Sequence, residues 1–190
     1  MAKKKLILVT SPPACGKTFV TKTLARALNN CVYLDKDDLI VLSKQIYKVA
    51  GEPFDRSSDF FHEYIRDAEY DAILEVALNA LNYNDTVLIN APFKKEVRSP
   101  EWLAAMRKKL ALRNAELCII WVHTDIEVVH QRMVTRNSER DTWKIEHWDE
   151  YVATQNYDPP ENVPELFIFK NSSDDEFDES IGQAVDFIRR

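Results

Sequence analysis

Short runs of consecutive apolar residues alternate along this chain with longer stretches in which apolar positions return every three or four residues. The runs at 6–10, 31–34, 86–90, 117–123 and 166–169 predict strands buried on both faces. Helical spacing predicts helices over 17–28, 38–49, 58–81, 101–112 and 126–136, and a last one over 179–188. In the long 58–81 stretch, Phe61, Ile65, Ala68, Ala72, Val76 and Leu81 form the expected core row, and Arg66 and Tyr70 share another. Strands alternating with helices predict a parallel sheet covered on both faces. No repeat, low-complexity segment or linker divides the chain, so one domain is expected over 1–190.

The first strand runs into Ser11-Pro-Pro-Ala-Cys-Gly-Lys-Thr18 and then into a helix. A strand, a tight loop and a Gly-Lys-Thr helix start make a phosphate-binding loop. Its backbone N–H groups form a nest, and the helix N-terminus adds a positive dipole end. The cofactor-binding set is therefore Pro13, Ala14, Cys15, Gly16, Lys17 and Thr18. Lys17 is expected to reach the outer phosphates, and the Thr18 hydroxyl to hold magnesium. The usual pattern opens with glycine, where this chain has Ser11. The chain holds only 3 Gly, where average usage of roughly 7% would give about 13. One of them stands beside Lys17, where the backbone must approach a ligand closely.

Ligands in parallel α/β sheets bind outside the carboxyl ends of the strands. Thr10, Asp35, Asn90 and His123 stand at those ends. Asp35-Lys36-Asp37-Asp38 places carboxylates beside the loop, and a carboxylate can orient and deprotonate an acceptor hydroxyl. Asp37 or Asp35 is the candidate base; Asp35 is also a candidate magnesium ligand beside Thr18. Asp37 and Asp38 equally suit the capping of the next helix. Asn90 keeps an oxygen, but not a charge, where many such proteins have a magnesium-holding aspartate. Two helix starts carry punctuation: Ser99-Pro100-Glu101, and Thr124-Asp125-Ile126-Glu127 as a capping box.

Arg132 and Arg136 are four apart and share a helix face, and Arg140 follows in a loop. Converging arginines stabilise charge on a transferring phosphoryl group, and a lid over about 136–147 is expected to carry them. Paired with Glu127, Glu139 and Asp141, the same residues also make an ordinary solvated charged face. Cys15, at a helix N-terminus, is a candidate redox thiol or a small residue that fits. Trp121, Trp143 and Trp148 read as packing groups.

Composition narrows the partners. The formal net charge is −6, which argues against broad nucleic-acid binding, though not against a local basic pocket. Cys15, Cys31 and Cys118 lack Cys-x-x-Cys spacing and fit reduced thiols in a cytoplasmic protein. The 4 histidines lack metal-ligand spacing, and no apolar run approaches a membrane span. The first five residues look like a signal-peptide n-region, but the following apolar run is too short for its h-region.

With its loop, its Asp35-Lys36-Asp37 and its arginine segment, the chain resembles the nucleoside-monophosphate-kinase-like branch of P-loop kinases. Lys36-Asp37-Asp38 and Arg136-Asn137-Ser138-Glu139-Arg140 are similar to motifs of 5′-hydroxyl polynucleotide kinases. Asp-x-Asp is similar to the zeta-toxin, chloramphenicol-phosphotransferase and gluconate-kinase group, where an arginine often stands at the position of Ile40. The resemblance implies a three-layer α/β/α P-loop NTPase fold with a five-stranded parallel sheet of order 2-3-1-4-5. It also implies ATP, Mg2+, and Lys17, Asp37, Asp35, Arg132, Arg136 and Arg140 as catalytic residues. Asn171 and Ser172 would lie near the adenine. The expected function is an ATP-dependent kinase for a small-molecule hydroxyl or phosphate, acting as monomer or homodimer. The alternatives are a 5′-hydroxyl polynucleotide kinase and a nucleotide-binding regulator or weak ATPase without an acceptor.

Overall fold

Five strands, β1 (Lys4–Thr10), β2 (Val32–Asp35), β3 (Thr86–Asn90), β4 (Ala115–His123) and β5 (Leu166–Lys170), form one sheet. Its order is β2-β3-β1-β4-β5 and every pairing is parallel. The structure, a computed structural model, describes residues 3–138 and 141–190. The helices are α1 (Lys17–Leu28), α2 (Ile40–Ala50), α3 (Arg66–Ala80), α4 (Pro100–Ala111) and α5 (Ile126–Arg136). Short α6 (Thr142–Glu146) and α7 (Trp148–Ala153) precede the C-terminal α8 (Asp174–Arg189).

The strands are apolar throughout because both faces are covered. Leu6, Leu8, Val87, Ile89, Leu117, Ile119 and Trp121 face one core, closed by α3 and α4. Ile7, Val9, Leu88, Cys118, Ile120 and Val122 face the other, closed by α1, α5 and α8. Successive residues point to opposite faces, so one strand feeds both cores.

The expected 58–81 helix is interrupted by a π-helical turn over Phe61–Ile65. That turn admits one extra residue, and so rotates everything after it by about 100°. Phe61, Ile65 and Leu81 are buried as expected, but Ala68, Ala72 and Val76 are exposed. Tyr70, Ile73, Leu74, Ala77 and Leu78 form the core face instead. Before α2 the chain makes a 3-10 turn, Lys36–Leu39, capped by Asp35 rather than by Asp37 or Asp38.

Ser99 caps α4 as predicted, accepting from Trp102 N at 3.2 Å, with proline in the first turn. The predicted capping box at α5 does not form. Asp125 occupies the N-cap without a side-chain bond, while the Thr124 hydroxyl donates to the Cys15 carbonyl at 3.1 Å and accepts from Arg132 Nη1 at 3.3 Å. A cap the periodicity missed stands at Ser173, whose Oγ accepts from Glu176 N at 3.2 Å and starts α8 five residues earlier than expected.

Candidate active site

The phosphate-binding loop joins β1 to α1 at the carboxyl edge of the sheet. Ala14 (φ 62°) and Gly16 (φ 80°) are both left-handed, an alternation that turns successive N–H groups toward one concavity. Gly16 is needed on two counts. Its φ disfavours a side chain, and a Cβ there would sit 2.6 Å from Asn171 Nδ2. Asn171, at the end of β5, donates that same Nδ2 to the Cys15 carbonyl at 2.7 Å. The loop is thus fastened from behind by residues of β4 and β5. Ser11, in the place of the customary glycine, is buried with its hydroxyl turned onto the Pro12 carbonyl at 2.7 Å.

At the ends of β2 and β3 lies a polar chain centred on Asn90, which is 2% exposed. Its Oδ1 accepts from Lys17 Nζ at 2.5 Å. Its Nδ2 donates to Asp35 Oδ2 at 2.8 Å and lies 3.3 Å from Thr18 Oγ1. Asp35 also accepts from Tyr33 Oη at 2.7 Å and from Asp37 N at 3.1 Å. Burial pushes the Asp35 carboxyl up, but these hydrogen bonds and Lys17 outweigh it and hold it below the ordinary range. Burial drives the Lys17 ammonium down to about 8, although Asp35 and Asp37 oppose the fall. Lys17 is therefore a desolvated cation, whose charged form a nearby anion would favour.

Lys17, Thr18, Asp37, Asn90 and Arg136 open together on a cavity of about 440 Å³. The Asp37 side chain is 71% exposed. Arg136 pairs with Asp141, a buried carboxylate that also takes Lys144 at 3.0 Å. Arg132 points elsewhere: its Nη2 donates to the Asn171 carbonyl at 2.8 Å and its Nη1 to Thr124 Oγ1 at 3.3 Å, behind the loop. Arg140 lies outside the described residues. Cys15 is 1% exposed, and burial raises its thiol to about 12, so it is a packing group and not a reactive thiolate. His123 faces Asp125 at 3.8 Å, beyond the cavity lining. Lys94 and Lys144 also line the cavity; no motif marks them.

Magnesium takes oxygen ligands and keeps several from substrate phosphates and water. Thr18 Oγ1 and Asp35 Oδ2 both lie within 3.3 Å of one nitrogen, Asn90 Nδ2. A hydroxyl and an ionised carboxylate so placed fit a cation shared with a bound triphosphate. Among the described residues no group of three His, Cys, Asp or Glu forms a metal cage, and no helix is long and apolar enough to cross a membrane.

Residues 6–159 match the AAA domain family. No curated protein matches the chain in sequence. Among solved structures, a candidate kinase from Chloroflexus aurantiacus is similar at a TM-score of 0.67 and 17% identity, over 99% of this chain and 98% of that one. A gluconokinase from Sinorhizobium meliloti is similar at 0.59 and 14%, over 99% and 93%. The APS kinase of Mycobacterium tuberculosis, solved with AMPPNP and APS, is similar at 0.53 and 18%, over 100% of both. Sequence match and shared architecture agree: the chain belongs to the AAA domain family and has the fold of a P-loop kinase.

Proposed function

We propose that the protein is an ATP-dependent phosphotransferase acting on a small-molecule acceptor. The observation that carries the reading is Lys17, drawn down to about 8 by burial and held on Asn90 at the mouth of the nest. The N–H groups of Pro13 to Thr18 take the β- and γ-phosphates. Lys17 leaves Asn90 for the phosphate oxygens. Thr18 and Asp35 are the residues that would hold magnesium, which would supply neutralisation of the phosphate charge. Asp37, exposed at the cavity rim, accepts the proton of the acceptor hydroxyl as its oxygen bonds to the γ-phosphorus. The bond from that phosphorus to the β,γ-bridging oxygen breaks, and ADP leaves with the electron pair. Arg136, released from Asp141, covers the transferring group within a lid over about 136–147; we assign the same charge stabilisation to Arg140 in that lid and to Arg132 from α5, once it leaves Asn171 and Thr124. Such chemistry needs mainly positioning and electrostatics.

The test is MgATP binding by calorimetry, followed by ADP release against a panel of hydroxyl compounds. Lys17→Ala should abolish turnover with the circular dichroism spectrum unchanged. Asp37→Asn should lower kcat about 10²- to 10⁴-fold, the range for a general base, and leave the Kd for MgATP within twofold. Turnover of wild-type size in Lys17→Ala, or slow hydrolysis that no acceptor stimulates, overturns the assignment.

A further inference from the structure

A second recess, of about 280 Å³, adjoins the first and shares Pro92 and Lys94 with it. It lies between the π turn, the start of α3 and the segment after β3. Its lining is strongly cationic: Lys36, Arg56, Arg66, Lys94 and Lys95, with His62 beside them. Four carboxylates answer part of that charge, Asp37 among them at 3.9 Å from Lys36. Glu69 accepts from Lys36 at 2.6 Å and from Arg56 at 2.8 Å. Glu96 and Asp67 hold Arg66 at 2.8 and 2.5 Å. Among the described residues, Lys94, Lys95 and His62 have no carboxylate within 4.0 Å. A chain of net charge −6 thus concentrates uncompensated positive charge in one cleft, which raises the local anion concentration.

The cations are also oriented. The Arg56 guanidinium stacks 4.8 Å from the Phe61 ring centroid, and that of Arg66 4.4 Å from Tyr70. Guanidinium planes fixed this way present their donors as forks suited to oxyanions. Arg56 Nη1 is buried and meets no acceptor in the protein. Burial, then the neighbouring Arg98, hold Lys94 below its ordinary range.

We infer that this recess receives an anionic group of the phosphoryl acceptor, which is therefore a small hydroxyl compound carrying a phosphate, sulfate or carboxylate. The inference rests on the kinase reading above and narrows its substrate class. Lys94 lines both recesses. Asp37 lines the first and lies 3.9 Å from Lys36, which lines the second. An anion seated among Arg56, Arg66 and Lys94 therefore places the rest of its molecule at the junction, with a hydroxyl before Asp37. The recess is a small pocket, not an open stripe, and this favours a small molecule over a nucleic-acid end.

The test separates the two readings. AMPPNP with magnesium is first titrated into the protein by calorimetry; failure to bind overturns the kinase reading alone. Inorganic phosphate and, separately, acetate are then titrated into the AMPPNP-loaded protein, or into Lys17→Ala if AMPPNP does not bind. Binding of at least one oxyanion is expected in the millimolar range. His62→Glu/Lys95→Glu, a double change at two exposed positions, should weaken it at least tenfold. Phosphate alone points to a phosphate or sulfate ester; acetate as well admits a carboxylate. No oxyanion binding, or equal binding by the double variant, overturns the inference. In turnover, an alcohol and its phosphorylated or carboxylated counterpart are compared in pairs. ADP release is expected at least tenfold faster with the anionic member. A neutral member used equally well, or an oligonucleotide end used in preference, overturns it too.

Discussion

Asn90 Nδ2 donates to Asp35 Oδ2 at 2.8 Å, a bond that a carboxylate at position 90 could not make. Asn90→Asp would set two carboxylates at that distance, where both cannot remain ionised. The variant should lose about 1–3 kcal/mol of stability at pH 7, the cost of an unsatisfied buried group, and regain part of it at pH 5 as one carboxyl takes a proton. Urea unfolding at the two pH values checks this; an equal deficit at both contradicts it.

Lys17 titrates near 8 in the free protein because burial disfavours its charge. A triphosphate favours the ammonium, so binding raises this pKa. Affinity for MgATP should therefore fall as pH rises above 8, with one proton taken up on binding in that window. Calorimetry in buffers of different ionisation enthalpy reads the proton directly. An affinity that is flat from pH 7 to 9.5 rules the effect out. The sign for folding is opposite. The folded pKa lies below the unfolded one, so this group adds stability to the free protein as pH rises from about 8 toward 10.5.

Gly16→Ala meets both a left-handed backbone and Asn171 Nδ2 at 2.6 Å. It should cost about 1–3 kcal/mol from the conformation alone and abolish detectable nucleotide binding. Asn171→Ala in the same chain removes the clash but not the strain, and it gives up the bond to the Cys15 carbonyl, which Thr124 still satisfies. The double variant should thus unfold at a higher temperature than Gly16→Ala, yet below wild type. Thermal melts of the three variants decide it.

Among the described residues Glu69 is the one carboxylate closer than 3.9 Å to Lys36 Nζ, and Lys36 is 3% exposed. It also accepts from Ser43 at 2.5 Å. Burial pushes its carboxyl up, but Lys36 and Ser43 outweigh that and hold it below the ordinary value. Glu69→Gln should cost about 3–5 kcal/mol, the penalty for removing one partner of a buried pair, seen as a lower urea midpoint with an unchanged slope. In the wild type, this contribution is present above the ordinary Glu pKa and is lost as pH falls through the lowered one.

The sheet was legible because each strand is apolar on both faces, a signal that needs no tertiary information. The loop was legible because Gly16-Lys17-Thr18 is contiguous. What escaped depends on geometry that spacing does not carry. The π turn at Phe61–Ile65 has no local marker, and its rotation exposes Ala68, Ala72 and Val76. Thr124 satisfies the capping pattern, yet its hydroxyl bonds to the Cys15 carbonyl and Arg132, which no spacing reveals. Lys94 and Arg56 belong to no motif; only folding brings them together in the recess that adjoins the loop's cavity. Arg132 and Arg136 share a helix face as expected, but their partners, Asn171 and Asp141, lie on separate segments and draw them apart.

Asn171 stands beyond the stretch that matches the family, which ends at residue 159, and its amide still ties down the Cys15 carbonyl across 156 positions. A nascent chain leaving the ribosome carries its nucleotide cup long before Asn171 is made, but with no back wall until β5 has emerged and docked. Competence to bind thus arrives only once β5 has been made. A chain cut short before that segment should emerge unable to trap nucleotide.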